Sequence, residues 1–557
     1  MAPNPRSLLT GATQLAGRAN DEAHFALTLV RAGLIAPVAP HKAVAALRAL
    51  ERWGLLGASI RIAAARHGDR PGVIDDRGTV SFGELDRRSS ALANAWTARG
   101  LRPGDGVAIL CRNHRWFLDA TFACAKAGAR AIFLNTDFAG PQIREVSERE
   151  GTRMLVHDDE YGAFLEGIDP PLGRWRAWTD DDPDGDPAPD TLEHLIATGP
   201  DGEPPRPERK SSFVILTSGT TGTPKGAPRD QPNSLAPIGG ILSKVPLRSG
   251  EVTAVCAPLF HALGFLHGMI GVGLGSTLIL RRKFDPDQVL RDVAAHGTTA
   301  LIVVPIMLAR LLDERAAHPE RDDLGSLRIV FVSGSALGAE LAKRTLQDLG
   351  PVLYNLYGST EVAFATIATP EDLVADPATV GRVPRGAIVK VIDESGGEAA
   401  PGTVGRVFVG NAIAFEGYTG GGHKEIVDGL LSSGDVGHFD ERGLLFIDGR
   451  DDDMIVSGGE NVFPAEVEDL IGGLDAVREA AVIGVEDAKF GQRLRAFVVP
   501  HEPDGISEDE IKQHVRDNLA RYKTPRDVIF VEALPRNPTG KVLKRELAAH
   551  DDGQQDV

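Results

Sequence analysis

The sequence predicts an α/β protein with a large N-terminal body of mostly parallel or mixed sheets covered by helices, followed by a small α+β domain. Three observations predict it. From about residue 70, short continuous apolar runs alternate with helical patterns, as strands buried on both faces of a sheet do. One of these runs leads into a string rich in glycine and threonine, Thr217-Ser218-Gly219-Thr220-Thr221-Gly222-Thr223-Pro224-Lys225-Gly226. A charged, glycine-flanked break, Gly449-Arg450-Asp451-Asp452-Asp453, then separates the body from a last stretch with a pattern of its own.

At 557 residues the chain is too long for one core and reads as several domains. Its 42% hydrophobic and 25% charged content suits a folded globular protein. A formal net charge of −18 excludes nucleic acid as a bulk partner, because a phosphate backbone is repelled where no basic face is concentrated. The three cysteines, Cys111, Cys124 and Cys256, lie in apolar settings and form no CxxC pair, which fits reduced thiols in a cytoplasmic protein. No apolar stretch at the N-terminus is long enough for a signal peptide. The most apolar longer windows, 25–39 and 266–280, are broken by Arg31 and Pro37 and by four glycines, so neither reads as a membrane span.

In chain order, residues 1–60 form an amphipathic helical extension, with Leu47, Leu50 and Trp53 at helical spacing between Arg48, Glu51 and Arg52. The plainer cover for that apolar face is the protein's own first domain or a homodimer partner. Lys42, Arg48, Arg52 and Arg61 leave a peripheral contact with a membrane's inner face open. The body, 61–449, carries the strand runs 107–110, 131–134, 214–216, 301–304 and 329–332, an exposed Asp/Pro-rich loop at 180–190 and a helical apolar stretch at 265–280. The last domain, 450–557, has apolar strands at 480–485 and 495–499. Its helix, 507–519, begins with a plausible N-cap in Ser507 and an acidic first turn.

The chemistry starts at the 217–226 string. Its glycines let the backbone approach an anion, its hydroxyls donate, and Lys225 adds charge, so it reads as a phosphate cradle. It lacks the Gly-Lys-Ser/Thr order of a P-loop. The string resembles the signature loop of the adenylate-forming enzymes, the superfamily of acyl-CoA synthetases, luciferases and peptide-synthetase adenylation domains. Further matches follow in family order, so the resemblance covers roughly residues 61–549.

That resemblance implies roles for particular residues. Thr217, Ser218, Gly219, Thr220, Thr221, Gly222 and Lys225 would hold the β- and γ-phosphates of ATP. In Tyr357-Gly358-Ser359-Thr360-Glu361, Glu361 would bind Mg²⁺, with Thr217 able to add a hydroxyl; a hard cation that keeps its waters needs only one protein carboxylate. Gly334, Ser335 and Ala336 would let adenine approach closely, Asn355 would meet its edge and Tyr357 its face, and Gly358 and Thr360 would adjoin the nucleotide. Asp435, with Arg450, would clamp the ribose hydroxyls; Leu431-Ser432-Ser433 stands where the family usually has an aromatic-basic-Thr string before that Asp.

Pro535-Arg536-Asn537-Pro538-Thr539-Gly540-Lys541 is similar to the motif carrying the catalytic lysine, so Lys541 would neutralise the α-phosphate. The resemblance also implies a mobile small domain that turns about Asp452, at a hinge over 450–452. A second face would then bring Ser457, Gly458 and Gly459 to the coenzyme A channel. His261 falls in the family's acyl-pocket motif, where it either gates thiol entry or packs. Together these imply an ATP-dependent ligase of a carboxylic acid, by similarity to bacterial fatty-acid CoA ligases a fatty acid, with CoA. Two alternatives stay open: transfer of the acyl group to a carrier protein, and a membrane-docked fatty-acid uptake or binding protein.

Overall fold

The apolar runs become strands of two separate sheets. The computed structural model describes residues 20–180, 186–217, 225–229, 234–319, 321, 323–411, 417, 419, 424–451, 455–457, 460–487, 491–503, 505–519, 523–538 and 540–549. A six-stranded sheet runs in the order Arg174–Arg176, Thr152–His157, Gly106–Leu110, Arg130–Phe133, Ser212–Thr217, Lys225–Arg229. All its neighbours are parallel except the last pair, which is antiparallel. An eight-stranded sheet carries the other runs, with Ala300–Val303 and Ile329–Val332 at its centre and an antiparallel strand at each edge. The central strands are buried along their whole length, the pattern of sheets covered on both faces.

A five-stranded antiparallel sheet over residues 387–450 follows, then a five-stranded sheet of the C-terminal domain. In that domain the predicted strands appear as Val477–Asp487 and Gly491–Pro500. The predicted helix is Glu508–Asn518, and Ser507 caps it by accepting from the Glu510 backbone N–H. The architecture is the expected large α/β body with a small α+β domain.

One predicted helix is corrected. The stretch 265–280 divides into a helix, Ala262–Leu274, and a short strand, Thr277–Ile279. Gly275 ends the helix with a φ of 65°, the left-handed conformation that stops helices and favours glycine.

The described part of the N-terminal extension packs into the body. The helix over 20–32 buries Phe25 and Leu29, and Phe25 sits where a Cβ on Gly239 would collide at 2.6 Å. The Pro40–His67 helix bends at Gly54, whose φ of 69° and ψ of −170° are not helical. Trp53, Leu56 and Ile60 are buried, whereas Leu47 points outward. The helical-spacing triad Leu47, Leu50, Trp53 therefore does not share one fate. No helix among the described residues is long and apolar enough to cross a membrane.

Candidate active site

The residues expected to face the nucleotide are delivered by three neighbouring pieces of backbone. After the strand Ile329–Val332 the chain turns at Gly334, with a φ of 101°, before Ser335 and Ala336. The next strand, Leu353–Ser359, carries Asn355 and Tyr357 and enters a tight antiparallel hairpin with Ala363–Ala368, in which Ser359 pairs with Ala363. Gly358 is required there, because a Cβ would lie 2.1 Å from the Ala363 carbonyl oxygen. Thr360 and Glu361 form the hairpin tip. Ser359 Oγ donates to Glu361 Oε2 at 2.9 Å, which orients the carboxylate.

Asp435 and Arg450 face each other across the antiparallel pair Leu430–Phe439 and Leu445–Arg450, with the guanidinium 3.6 Å from the carboxylate. The Tyr357 hydroxyl donates to Asp435 Oδ2 at 2.5 Å. Tyr357 thus fixes the carboxylate, a contact the sequence did not disclose. Burial pushes the Asp435 carboxyl above the usual carboxylate range, while the Tyr357 and Ser433 hydroxyls, Arg450 and Lys541 pull the other way. Burial, together with the Asp435 charge, raises the Tyr357 phenol well above its ordinary value.

Lys541 belongs to this cluster because the small domain is docked over the cleft. Its loop is closed by Gly540 donating to the Asn537 carbonyl at 2.8 Å and by Lys541 N–H donating to Asn537 Oδ1 at 2.9 Å. Gly540 has a φ of 78° and lies so close to the body that a Cβ would stand 2.7 Å from Ile306 Cγ2 and 3.2 Å from Val304 Cγ2. Phe463 packs on Gly449 in the same way, where a Cβ would meet its ring at 2.8 Å. The sequence marked Gly449 only as the flank of the domain break and Gly540 only as part of the Lys541 string; that each packs across the seam between domains has no local signal.

The ends of the 217–226 string pair antiparallel at the edge of the six-stranded sheet, Thr217 with Lys225. Ser218, Gly219, Thr220, Thr221 and Gly222 lie outside the described residues, as do Asp452, Gly458 and Gly459; Ser457 ends the strand Ile455–Ser457. Gly226 is held against the body by an isolated bridge to Thr419. A Cβ there would stand 2.8 Å from the Glu150 carboxylate.

His261 stands at the N-cap position of the helix Ala262–Leu274. Burial pushes its imidazole down to about 4, so it is neutral at pH 7. One cavity of ≈ 2020 Å³ joins His261, Gly334, Asn355, Glu361, Asp435 and Lys541. Away from the polar cluster its wall turns apolar, through Phe213, Ile238, Phe265, Leu266 and Met269. The lining also includes Leu34, Ile35, Leu50, Leu55 and Ile62 of the N-terminal helices and their connector, residues the sequence had not placed near the site.

The residues present suit a nucleoside phosphate and a hard cation. A hydroxyl-fixed carboxylate beside a guanidinium accepts vicinal hydroxyls, a glycine turn admits a planar base, and an oriented carboxylate and a lysine flank the space between. The family described as AMP-binding enzyme matches residues 60–419, and its C-terminal domain matches residues 466–541. A feruloyl-CoA synthase of Amycolatopsis sp is 34% identical over 499 residues, covering 87% of this chain and 95% of that protein. A fatty acid–[acyl-carrier-protein] ligase, ScoC, of Streptomyces coeruleorubidus is 31% identical, covering 86% and 92%. Among solved structures, the o-succinylbenzoate CoA synthetase MenE of Bacillus subtilis, in complex with its acyl-adenylate intermediate, matches with a TM-score of 0.74 at 27% identity, covering 88% and 97%.

Proposed function

The chain belongs to the AMP-binding, adenylate-forming enzymes and in its broad activity is an AMP-forming acid–thiol ligase, and from that premise we propose that its acid is a medium- or long-chain fatty acid and its thiol coenzyme A. The observation that carries the choice of acid is the apolar arm of the cavity. The cavity's lining joins His261, Phe265 and Met269 with Leu34, Ile35, Leu50 and Leu55 of the N-terminal helices and their connector. An extended alkyl chain gains by burial along that wall at about 25 cal/mol per Å².

In the first half-reaction a carboxylate oxygen attacks the α-phosphorus of ATP and pyrophosphate leaves. Asp435, held by Tyr357 and Arg450, fixes the ribose, and Lys541 supplies positive charge where the α-phosphate becomes more negative. Glu361 would hold Mg²⁺, which when bound neutralises phosphate charge. The string between Thr217 and Lys225 would cradle the β- and γ-phosphates. In the second half-reaction the thiolate attacks the acyl carbon and AMP leaves.

The docked position of Gly540 against Val304 and Ile306 supports the adenylation orientation. Turning about Asp452 would carry Lys541 away and bring Ser457, Gly458 and Gly459 to the thiol channel. The proposed division at 450–452 falls in the interval between family matches that stop at 419 and resume at 466. Neutral His261, at the junction of the polar and apolar parts, would border the reacting carboxylate.

The test is pyrophosphate release across saturated acids of graded length, with CoA or a carrier protein as acceptor. Turnover that rises with chain length and needs CoA supports the reading. A preference for short or aromatic acids overturns the fatty acid, and acyl transfer only to the carrier protein overturns CoA.

A further inference from the structure

Half of the exposed large apolar side chains among the described residues fall within residues 27–55. Leu27 and Val30 share the outer face of the helix over 20–32, Ile35 and Val38 lie on the connector, and Val44 and Leu47 lie on the Pro40–His67 helix. Leu27 and Leu47 are the most open of these, at 59% and 67% exposure. The opposite faces of both helices are consumed by Phe25, Leu29 and Trp53 in the core, so the exposed apolar face is a second one. A concentration of large apolar side chains left in water marks a docking site.

The charges around it have a direction. Residues 1–60 hold six basic and three acidic residues in a chain of net charge −18. All three acids are turned to the body: Asp21 to Arg385 at 2.6 Å, Glu22 to the Ser234 hydroxyl at 2.5 Å, and Glu51 to Arg206 at 2.7 Å. Arg31 and Arg48 are exposed and make no ion pair among the described residues. The same helices and their connector also line the cavity, through Ile35, Val38, Leu50 and Leu55.

We propose that this helix pair docks on an anionic lipid surface, its apolar face among the acyl chains and Arg31 and Arg48 at the headgroups, so that a fatty acid passes from the lipid into the apolar arm of the cavity. An apolar face with cationic side chains at its rim suits an interfacial helix, and no span of the bilayer is needed. A second copy of the chain fits less well, because it would set Arg31 and Arg48, which make no ion pair among the described residues, against an equally basic face. The inference rests on the fatty-acid reading for the traffic of substrate, and on the surface alone for docking.

The test is flotation of the full chain with vesicles of equal parts phosphatidylglycerol and phosphatidylcholine, against pure phosphatidylcholine. The comparison variant is Leu27→Glu/Val30→Glu/Leu47→Glu, whose three positions do not line the cavity. The wild type is expected to float with the anionic vesicles, less so at high salt, and the variant to lose about tenfold of that binding. Pyrophosphate release by the variant with a soluble short acid should stay at the wild-type rate, and release with a long acid embedded in vesicles should fall. Equal flotation of both proteins, or none by the wild type, overturns the docking. So does a wild-type dimer in light scattering that the variant abolishes without flotation by either. Flotation with no preference for long acids supports the docking and overturns the substrate reading alone.

Discussion

Replacing Gly540 by alanine separates the two half-reactions by a steric argument drawn from one contact. Two costs follow. The first is conformational: a φ of 78° costs a residue with a Cβ about 1–2 kcal/mol. The small domain carries that cost in every orientation, so it lowers stability without favouring either half-reaction. The second cost exists only when the loop is docked, because the new Cβ would stand 2.7 Å from Ile306 Cγ2 and 3.2 Å from Val304 Cγ2. Overpacking of this kind costs about 1–3 kcal/mol, a factor of roughly 5–150 in the docked population. Single-turnover pyrophosphate release from ATP and acid should therefore slow by about that factor. Thioester formation from supplied acyl-adenylate and CoA should keep its wild-type rate. Equal slowing of both halves, or a slowed thioester step alone, would refute the assignment of this contact to adenylation.

Lys541→Ala should slow acyl-adenylate formation by about 10²–10³-fold and spare the thioester step, as removal of one preorganised charge does; rapid-quench measurement of each half checks it. Tyr357→Phe removes the donor 2.5 Å from Asp435. It should raise the KM for ATP roughly 5–30-fold, for a lost hydrogen bond of about 1–2 kcal/mol, with acid KM unchanged in steady-state assays. His267 is buried, and burial pushes its imidazole from 6.5 down to about 4, with Nδ1 bonded to the Leu263 carbonyl at 3.0 Å. A histidine held neutral in the fold contributes stability fully above pH 6.5 and loses it as pH falls toward 4, in all about 3 kcal/mol. Urea melts at pH 7, 5.5 and 4.5 should show a shallower acid loss for His267→Leu than for the wild type, and parallel losses would remove His267 from the acid response.

The strands were legible because parallel strands buried on both faces need continuous apolar runs, as Ala300–Val303 and Ile329–Val332 show. Their division between two sheets was not, since the runs look alike and pairing is decided far along the chain. The 265–280 stretch looked wholly helical because its strand is only Thr277–Ile279, and Gly275 is one more glycine in a glycine-rich segment. The fates of Leu47 and Trp53 were hidden by the bend at Gly54, which turns the helix face. At the site, Asp435, Arg450, Glu361 and Lys541 stood out through strings of neighbours. The Tyr357–Asp435 bond joins residues 78 positions apart, and the Gly540 contact joins two domains, so neither had a local pattern to betray it.

The central claim is that the acid is activated as its adenylate at the Asp435, Glu361 and Lys541 cluster before any thiol takes part. Exchange of labelled pyrophosphate into ATP, measured without CoA, tests it most directly. The account predicts exchange that requires a fatty acid and Mg²⁺, persists without thiol and is abolished in Glu361→Ala. Exchange with no acid of any length, or formation of ADP and phosphate instead of AMP and pyrophosphate, would contradict it.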